Sequence, residues 1–228
     1  MRHLLRLLLG LLPASRLKNA LLSRTGRSWS VAPDAAVQPT VLWRIGSLRV
    51  ASGARIGFGN TIRDMHVVEL DERALVGQFN WISGASAWLA PDLATAASLR
   101  LGREACILSR HYLDCGGGVE FAPMARLAGV RSTLMTHAWD AMEWEPNVAP
   151  IRLGERDLVS SHTFVSPGVT VADCVVVGAG SVIIKDLDQP ETLYAGSPAV
   201  AKRSLAGARM FTLDSLERRA HERGADGR

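Results

Sequence analysis

His137 is the residue whose type and position most favour catalysis in this chain. Imidazole titrates near neutral pH, so it can take a proton from a weak nucleophile during attack. The polar segment at residues 138–150, AWDAMEWEPNVAP, follows the histidine directly and carries Trp139 and Trp144, which need a surface to pack against. We therefore predict a loop beside a catalytic His137, with a purely structural histidine as the alternative.

The elements that must position His137 follow from a six-residue repeat. A helix repeats near 3.6 residues and a strand near 2, whereas six fits short strands joined by tight turns and stacked as β-helix coils. If about a quarter of residues are Leu, Ile or Val, six consecutive hits arise by chance about once in several thousand attempts. The series are Leu153, Val159, Val165, Val171, Val177 and Ile183; Val50, Ile56 and Ile62; Leu70, Val76 and Ile82; and Leu101, Ile107, Leu113 and Val119.

Interruptions of the repeat predict loops. The step from Ile82 to Leu101 is nineteen residues long and implies an insertion. His137 is still in phase with Leu101, but the next anchor, Leu153, lies sixteen residues later rather than twelve. Four residues are therefore extra, and they place a loop immediately after the histidine.

Composition and charge limit the classes of protein to which this chain can belong. A chain of 228 residues that is 47% hydrophobic can bury one sizeable core. Three cysteines without a CxxC spacing argue against a disulfide framework or a cysteine-rich zinc site, and they fit a reducing, cytoplasmic compartment. Residues 1–33 hold six basic residues and no acid, whereas the remaining chain carries 20 basic and 22 acidic residues. This distribution argues against a nucleic-acid platform and favours an anionic membrane as a partner of the first segment.

The first segment is predicted to be helical. It reads as a Leu-rich helix broken near Pro13 and a second helix from about Ser15, and neither approaches the roughly 20 apolar residues that span a bilayer. A helix lying on a membrane, a helix that caps the end of the solenoid and a cleaved signal peptide all fit this sequence.

Three regions follow from these patterns. A basic, Leu-rich helical segment occupies residues 1–35, and the repeat domain occupies residues 36–200, with its loop at 138–150. A tail at residues 201–228 ends in a short helix around 213–221.

Five sequence blocks resemble the left-handed β-helix acyltransferases, in the branch that includes galactoside, maltose and colanic acid O-acetyltransferases. The blocks are STLMTH at residues 132–137, VAPIRLG at 148–154, VSPGVTV at 165–171, VGAGSVIIKD at 177–186 and AGSPA at 195–199. This resemblance implies an all-β solenoid, a left-handed parallel β-helix that forms a homotrimer. It also implies that acetyl-CoA lies in a groove between subunits and that His137 acts as the base.

The same resemblance assigns residues to the coenzyme. Family positions that contact CoA fall on Ser161, Ala179 and Lys185, and Arg203 is a second candidate for the CoA phosphates. Packing at a corner is an alternative role for Ala179, and Lys185 could be an ordinary surface charge. Val200 stands where the family usually has an arginine, so the adenine end of CoA is expected to be held differently.

The acceptor side departs from the family pattern. The family asparagine that binds the acceptor has no clear equivalent here, and Arg110, His111 and Asp114 are candidates to line the pocket instead. Asp140 is a further candidate, which could also orient the imidazole. We expect a structural role for His162.

Other activities fit the sequence less well. The spacings of 26 and 25 residues between His111, His137 and His162 do not reproduce the zinc-ligand pattern of γ-class carbonic anhydrases, so we expect no metal. We expect direct acyl transfer from acyl-CoA to a saccharide or glycolipid hydroxyl in surface polysaccharide synthesis, on the cytoplasmic face of a membrane. A catalytically silent solenoid that binds a membrane or a protein partner is the alternative.

Overall fold

The computed structural model describes residues 2–212, so the helix predicted around 213–221 lies outside the described residues. Most of the fold is made of short β-strands, with two α-helices at the start and 3₁₀ turns at Ala85–Leu89 and Arg209–Phe211. The helices and strands are α1 (Arg2–Gly10), α2 (Arg16–Arg24), β1 (Trp29–Val31), β2 (Ala36–Val37), β3 (Val41–Val50), β4 (Arg55–Ile56), β5 (Thr61–Leu70), β6 (Leu75–Val76), β7 (Trp81–Ser83), β8 (Ser98–Leu101), β9 (Cys106–Ser109), β10 (Tyr112–Asp114), β11 (Val119–Phe121), β12 (Arg126–Val130), β13 (Thr133–Leu134), β14 (His137–Trp139), β15 (Pro146–Val148), β16 (Ile151–Leu153), β17 (Leu158–Val159), β18 (Phe164–Val165), β19 (Val176–Val177), β20 (Val182–Ile183), β21 (Thr192–Ala195) and β22 (Val200–Ser204).

The strands stack in parallel on three faces. Face 1 contains β1, β8, β11 and β16, together with the second halves of β3 and β5. Face 2 contains β2, β4, β6, β9, β12, β17, β19 and β21, with β22 antiparallel at its end. Face 3 contains β7, β10, β13, β18 and β20, together with the first halves of β3 and β5. The chain visits faces 1, 2 and 3 in turn, so one strand from each face makes one coil.

The repeat anchors form columns inside this stack. On face 3, pairing in register aligns the buried side chains of Leu42, Ile62, Ile82, Leu113, Leu134, Val165 and Ile183. Each fully buried aliphatic side chain contributes about 1.5–3 kcal/mol relative to an exposed one. A residue every six positions is therefore enough to hold successive coils together.

Two insertions leave the stack at the same corner, between face 3 and face 1. The first covers residues 84–97 after β7 and contains the 3₁₀ turn, and the second is the antiparallel hairpin of β14 and β15 after β13. Gly84 starts the first insertion so close to the coil below that a Cβ there would lie 2.4 Å from the carbonyl oxygen of Asp64. Only glycine lets the inserted chain lie directly on that corner.

The corner between face 2 and face 3 is regular instead. Phe79, Arg110, Arg131 and His162 occupy successive turns there, and each has a φ between 56° and 59°. Main-chain hydrogen bonds link these turns from coil to coil, as between the Arg131 amide and the Arg110 carbonyl oxygen at 3.1 Å. This corner is a ladder of nearly identical turns.

The two N-terminal helices pack on the first coil. Ser15 caps α2 by accepting a hydrogen bond from the Lys18 amide at 3.1 Å. The buried Lys18 ammonium donates to the carbonyl oxygens of Gly10, Leu12 and Val37 at 2.7–2.8 Å, and burial lowers its pKa to about 8. Arg6 is also buried and donates to the carbonyl oxygen of Ile45 at 2.9 Å. Two of the six basic residues of this segment therefore face the fold rather than the surface.

None of the helices within residues 2–212 has the length and apolar character needed to cross a bilayer.

Candidate active site

The site is built around a histidine and a carboxylate from neighbouring coils. His137 Nδ1 lies 2.8 Å from Asp114 Oδ2. Asp114 ends β10 and is almost completely buried, while His137 starts the hairpin on the next coil. A carboxylate on Nδ1 fixes the ring orientation and keeps the proton on that nitrogen, so Nε2 carries the free lone pair.

Asp114 is itself held by several donors. The Ser86 hydroxyl donates to Oδ1, while the Thr136 hydroxyl and amide donate to Oδ2 at 2.7 and 3.1 Å. Burial alone would raise the pKa of Asp114, but the hydrogen bonds from His137, Ser86 and Thr136 hold it below its ordinary value. The carboxylate therefore stays ionised beside the imidazole.

A run of small residues lets both insertions reach Asp114. Gly116 and Gly117 follow it at the corner, and a Cβ on Gly116 would collide with the Ser86 hydroxyl. A Cβ on Gly117 would lie 2.7 Å from the carbonyl oxygen of Ala149. The first insertion and the base of the hairpin thus both pack at the corner that carries the carboxylate.

An open cleft of about 320 Å³ lies in front of His137. Its walls include Trp88 from the first insertion, Tyr112 from β10 and Trp139 from the hairpin. Trp88 is 73% exposed and Trp139 is 48% exposed, so large aromatic surfaces are available in the cleft. The second predicted loop tryptophan, Trp144, packs against Trp139 with ring centroids 5.3 Å apart.

The predicted acceptor residues separate in the structure. Asp114 contacts His137 directly, whereas His111 is buried and its Nδ1 accepts a hydrogen bond from the Ser132 amide at 3.1 Å. Burial lowers the pKa of His111 to about 4, so this ring is neutral at pH 7. Arg110 lies on the regular corner, with its guanidinium 5.8 Å from the centre of the Phe79 ring.

Asp140 caps the turn of the hairpin. Its carboxylate accepts hydrogen bonds from the amides of Met142 and Glu143 at 2.8 and 3.1 Å, and these bonds lower its pKa. The carboxylate that orients the imidazole is therefore Asp114.

The predicted coenzyme residues lie at several places on the surface. Ser161 and Ala179 lie at the regular corner, beside His162, and the Ser161 hydroxyl accepts a hydrogen bond from the Val130 amide at 3.1 Å. Lys185 is exposed on the corner that carries His137, and Arg203 is exposed in β22. Within one subunit, Ser161 and Ala179 thus lie at the opposite edge of face 3 from His137.

No group of three or more His, Cys, Asp and Glu side chains that could hold a metal occurs within the described part of the chain. Cys115, next to Asp114, is completely buried, and burial raises the pKa of its thiol well above the ordinary value.

Sequence reasoning missed Ser86 and Trp88. A signal existed, because Ile82 and Leu134 are both face 3 anchors and the segments after them leave at the same corner. Assigning each hexapeptide to one of three faces would have brought the two interruptions of the repeat together.

Known proteins similar to the chain are acetyltransferases. It is 29% identical over 178 residues to a colanic acid biosynthesis acetyltransferase of Escherichia coli strain K12, covering 77% of this chain and 84% of the relative. It is 27% identical over 149 residues to the galactoside O-acetyltransferase of that strain, covering 61% and 72% of the two chains. A solved hexapeptide-repeat acetyltransferase of Vibrio cholerae matches with a TM-score of 0.50 and 21% identity, over 60% of this chain and 73% of that one. No protein-family model matches the chain.

The repeat, the ordered sequence blocks and these relatives agree. The chain resembles the hexapeptide-repeat acyltransferases, in the branch of the galactoside and colanic acid O-acetyltransferases. It is therefore an acyltransferase, as the sequence predicted.

Proposed function

We propose that the chain is an acetyl-CoA-dependent O-acetyltransferase that modifies a saccharide hydroxyl and uses His137 as general base. The observation that carries this proposal is the pairing of His137 Nδ1 with the buried Asp114 carboxylate, which leaves Nε2 free beside an aromatic cleft. We further propose that the stack is a left-handed β-helix, as in the family that the sequence blocks resemble.

The chemistry needs one proton acceptor and no covalent enzyme intermediate. Nε2 of His137 takes the proton of the acceptor hydroxyl while its oxygen attacks the thioester carbonyl, and the Asp114 carboxylate stabilises the imidazolium that forms. Collapse of the tetrahedral intermediate breaks the carbon–sulfur bond, and the imidazolium returns the proton to the departing thiolate. The products are the acetyl ester and CoA.

Direct transfer is favoured by the contacts of the imidazole. Within residues 2–212, the hydrogen-bond partner of the His137 ring is Asp114, and no serine, threonine or cysteine side chain is bonded to it. The Ser86 hydroxyl is bonded to Asp114 instead, and the Cys115 thiol is buried with a raised pKa. Neither group is placed to act as an activated nucleophile.

The walls of the cleft favour a sugar as acceptor. One face of a pyranose ring presents C–H bonds, which pack well on the electron-rich face of an aromatic ring. Trp88 and Trp139 offer two exposed indoles beside His137, and Tyr112 adds a hydroxyl. The names of the relatives, a galactoside and a colanic acid acetyltransferase, point to the same class of acceptor and to surface polysaccharide synthesis.

We propose a homotrimer with acetyl-CoA between subunits. Face 3 carries an outward row of half-exposed aromatic side chains, Trp81, Tyr112 and Phe164, aligned across the strands. Such a surface is typical of an interface. Assembly around face 3 would bring Ser161 and Ala179 of one subunit towards His137 of the next, with Lys185 and Arg203 available to the CoA phosphates.

A membrane surface is the proposed location, on its cytoplasmic side. Helices α1 and α2 and the segment between them leave seven leucines exposed between 36% and 68%: Leu4, Leu5, Leu8, Leu11, Leu12, Leu17 and Leu21. Arg2, Arg16, Arg24 and Arg27 are exposed around them, and residues 1–33 contain no acid. An apolar patch bordered by basic residues fits the interface of an anionic bilayer.

Flotation with vesicles tests this location. We expect the protein to bind vesicles that contain phosphatidylglycerol and to bind pure phosphatidylcholine vesicles more weakly. The triple variant Leu4→Gln, Leu8→Gln, Leu12→Gln should lose at least about tenfold in partition, since each removes apolar surface from the lipid. Leu108→Gln, an exposed leucine in β9, is the matched control. Equal flotation of the triple variant and the wild type would contradict membrane contact.

The enzymatic proposal is tested by measuring CoA release from acetyl-CoA with a panel of saccharide acceptors. We expect His137→Ala to lower kcat by about 10²- to 10⁴-fold while CoA binding by calorimetry and the oligomeric state stay unchanged. Near-normal turnover of this variant would rule out the base. Failure of the wild type to bind CoA at all would favour the alternative of a silent binding module.

A further inference from the structure

A second cavity adjoins the cleft of His137. It has a volume of about 420 Å³, and its wall includes Arg44, Arg63, Asp64 and His66. Ala85 and Trp88 of the first insertion line both this cavity and the His137 cleft. The two spaces are therefore neighbours along one corner of the stack, separated by the exposed indole of Trp88.

Two guanidinium groups are fixed at this cavity by one carboxylate. Arg44 Nε lies 3.2 Å from Asp64 Oδ1, and Arg63 Nε lies 2.6 Å from Asp64 Oδ2. Among the described residues, the terminal nitrogens of both arginines make no hydrogen bond to the chain. Two arginines and one aspartate leave one uncompensated positive charge. The Arg63 Nε–H donates a hydrogen bond to Asp64 Oδ2, whereas the contact of Arg44 with Oδ1 is an ion pair without hydrogen-bond geometry.

This arrangement suits a phosphate ester. Guanidinium groups bind phosphate oxygens through paired N–H donors, and an arginine held in place by a carboxylate loses less rotamer freedom when it does so. The exposure of the side chains, 64% for Arg44 and 40% for Arg63, leaves both accessible from solvent.

We infer that the cavity of Arg44 and Arg63 binds a phosphate or diphosphate group carried by the acceptor. This inference rests on the proposed function, because it places the sugar of the acceptor on Trp88 with its hydroxyl at His137. The phosphate then lies on the far side of the same indole. The acceptor class becomes a sugar phosphate, rather than a neutral saccharide.

The position of the cavity separates it from the donor side. The predicted coenzyme residues Ser161, Ala179 and Lys185 belong to the last coils of the stack, whereas Arg44 lies near its start. Arg44 follows Trp43, whose ring contacts His3 of α1 at a tilted angle, with 6.2 Å between centroids. The cavity thus lies between the leucine-rich helices and the catalytic pair. A lipid-linked sugar diphosphate, a nucleotide sugar and a free sugar phosphate all carry the group that the arginines recognise.

Calorimetry with inorganic pyrophosphate tests the inference on the full-length protein. We expect binding that is weakened at least about tenfold by Arg44→Gln and unaffected by saturating CoA. Arg44→Gln leaves the pair of Arg63 and Asp64 intact, so the corner should stay folded. Arg49→Gln, an exposed arginine paired with Asp71 on face 1, is the matched control and should bind as the wild type does. Unchanged affinity of Arg44→Gln, or displacement of pyrophosphate by CoA, would overturn the inference.

Kinetics with four acceptors then identifies the source of the phosphate. The probes are methyl β-galactoside, galactose 1-phosphate, a uridine diphosphate sugar and a polyprenyl-diphosphate sugar in vesicles. Arg44→Gln should raise KM at least about tenfold for the phosphorylated acceptor that the enzyme prefers and leave KM for the methyl galactoside and acetyl-CoA unchanged. An equal rise for the neutral galactoside would count against the inference. His137→Ala should bind pyrophosphate normally, so a failure of the proposed catalysis is seen separately from a failure of this site.

Discussion

The two edges of face 3 show how one stack of coils can build both a scaffold and a site. At the edge shared with face 2, turns of nearly the same conformation follow one another, and main-chain hydrogen bonds tie each turn to the next. At the edge shared with face 1, two insertions interrupt the ladder and enclose a cleft around His137. Regular turns stabilise the stack, whereas departures from the period create a concave surface that can hold a ligand.

The two histidines at these edges show the same contrast in their electrostatics. His111, at the regular edge, is buried, and burial lowers the pKa of its ring, while its Nδ1 accepts a hydrogen bond from the Ser132 amide. His137, at the interrupted edge, is bonded through Nδ1 to a carboxylate and remains partly exposed. Burial keeps His111 neutral and structural, whereas the carboxylate on Nδ1 fixes the orientation of the His137 ring.

The largest expected effect concerns the carboxylate at the interrupted edge. Asp114→Asn should lower kcat by roughly 10²- to 10⁴-fold, because an amide does not stabilise the imidazolium and can favour the wrong tautomer. The KM for acetyl-CoA should stay near the wild-type value, since Asp114 is buried behind the histidine. Steady-state kinetics measures both constants.

Asp140→Asn is the matched control for that substitution. Its carboxylate is exposed and accepts hydrogen bonds from two amides within the hairpin, so the amide variant should keep kcat within a fewfold of the wild type. A larger loss for Asp140→Asn than for Asp114→Asn would reverse the assignment of the orienting carboxylate.

A smaller effect is expected at the regular edge, in stability rather than activity. The pKa of His111 is lowered from 6.5 to about 4 in the folded chain, so between these values the unfolded chain binds more protons. The free energy of unfolding should therefore fall as the pH drops from 6.5 towards 4, by up to roughly 3 kcal/mol from this group.

His111→Asn isolates that contribution, because the asparagine oxygen can still accept the Ser132 amide. Denaturant unfolding at fixed protein concentration should show a weaker dependence on pH for the variant than for the wild type. Acetyl transfer at pH 7 should be retained, in contrast to His137→Ala. Parallel pH profiles of the two proteins would show that His111 does not titrate as its burial requires.

The sequence predicted the scaffold through residues that all obey one rule. The anchors from Leu153 to Ile183 recur every sixth position, and the structure places each of them in the buried interior. The family and its acyltransferase activity followed from ordered blocks of sequence, and the relatives confirm both. The roles of Ser161, Ala179, Lys185 and Arg203 in binding CoA stay predictions.

The site was less accessible to sequence reasoning. The sequence indicated His137 as the candidate base because the six-residue repeat is interrupted directly after it. Its partner Asp114, however, was assigned to the acceptor pocket together with His111 and Arg110. These three positions lie within five residues of each other in the sequence, yet they point to different environments. The single strand β10 separates the exposed Arg110 guanidinium at one corner of face 3 from the buried Asp114 carboxylate at the other.

By itself the sequence determined the period, the chemistry available at His137 and the resemblance to the acyltransferase family, because each of these depends on local spacing and residue type. The tertiary structure decided which coils are neighbours. Asp114 lies 2.8 Å from His137 although 23 residues separate them, and Ser86 reaches the same carboxylate from 28 residues away. Such contacts depend on the number of residues in each coil and each insertion, because this number decides which residues become neighbours on a face. Only the register of the strands on all three faces determines these neighbours.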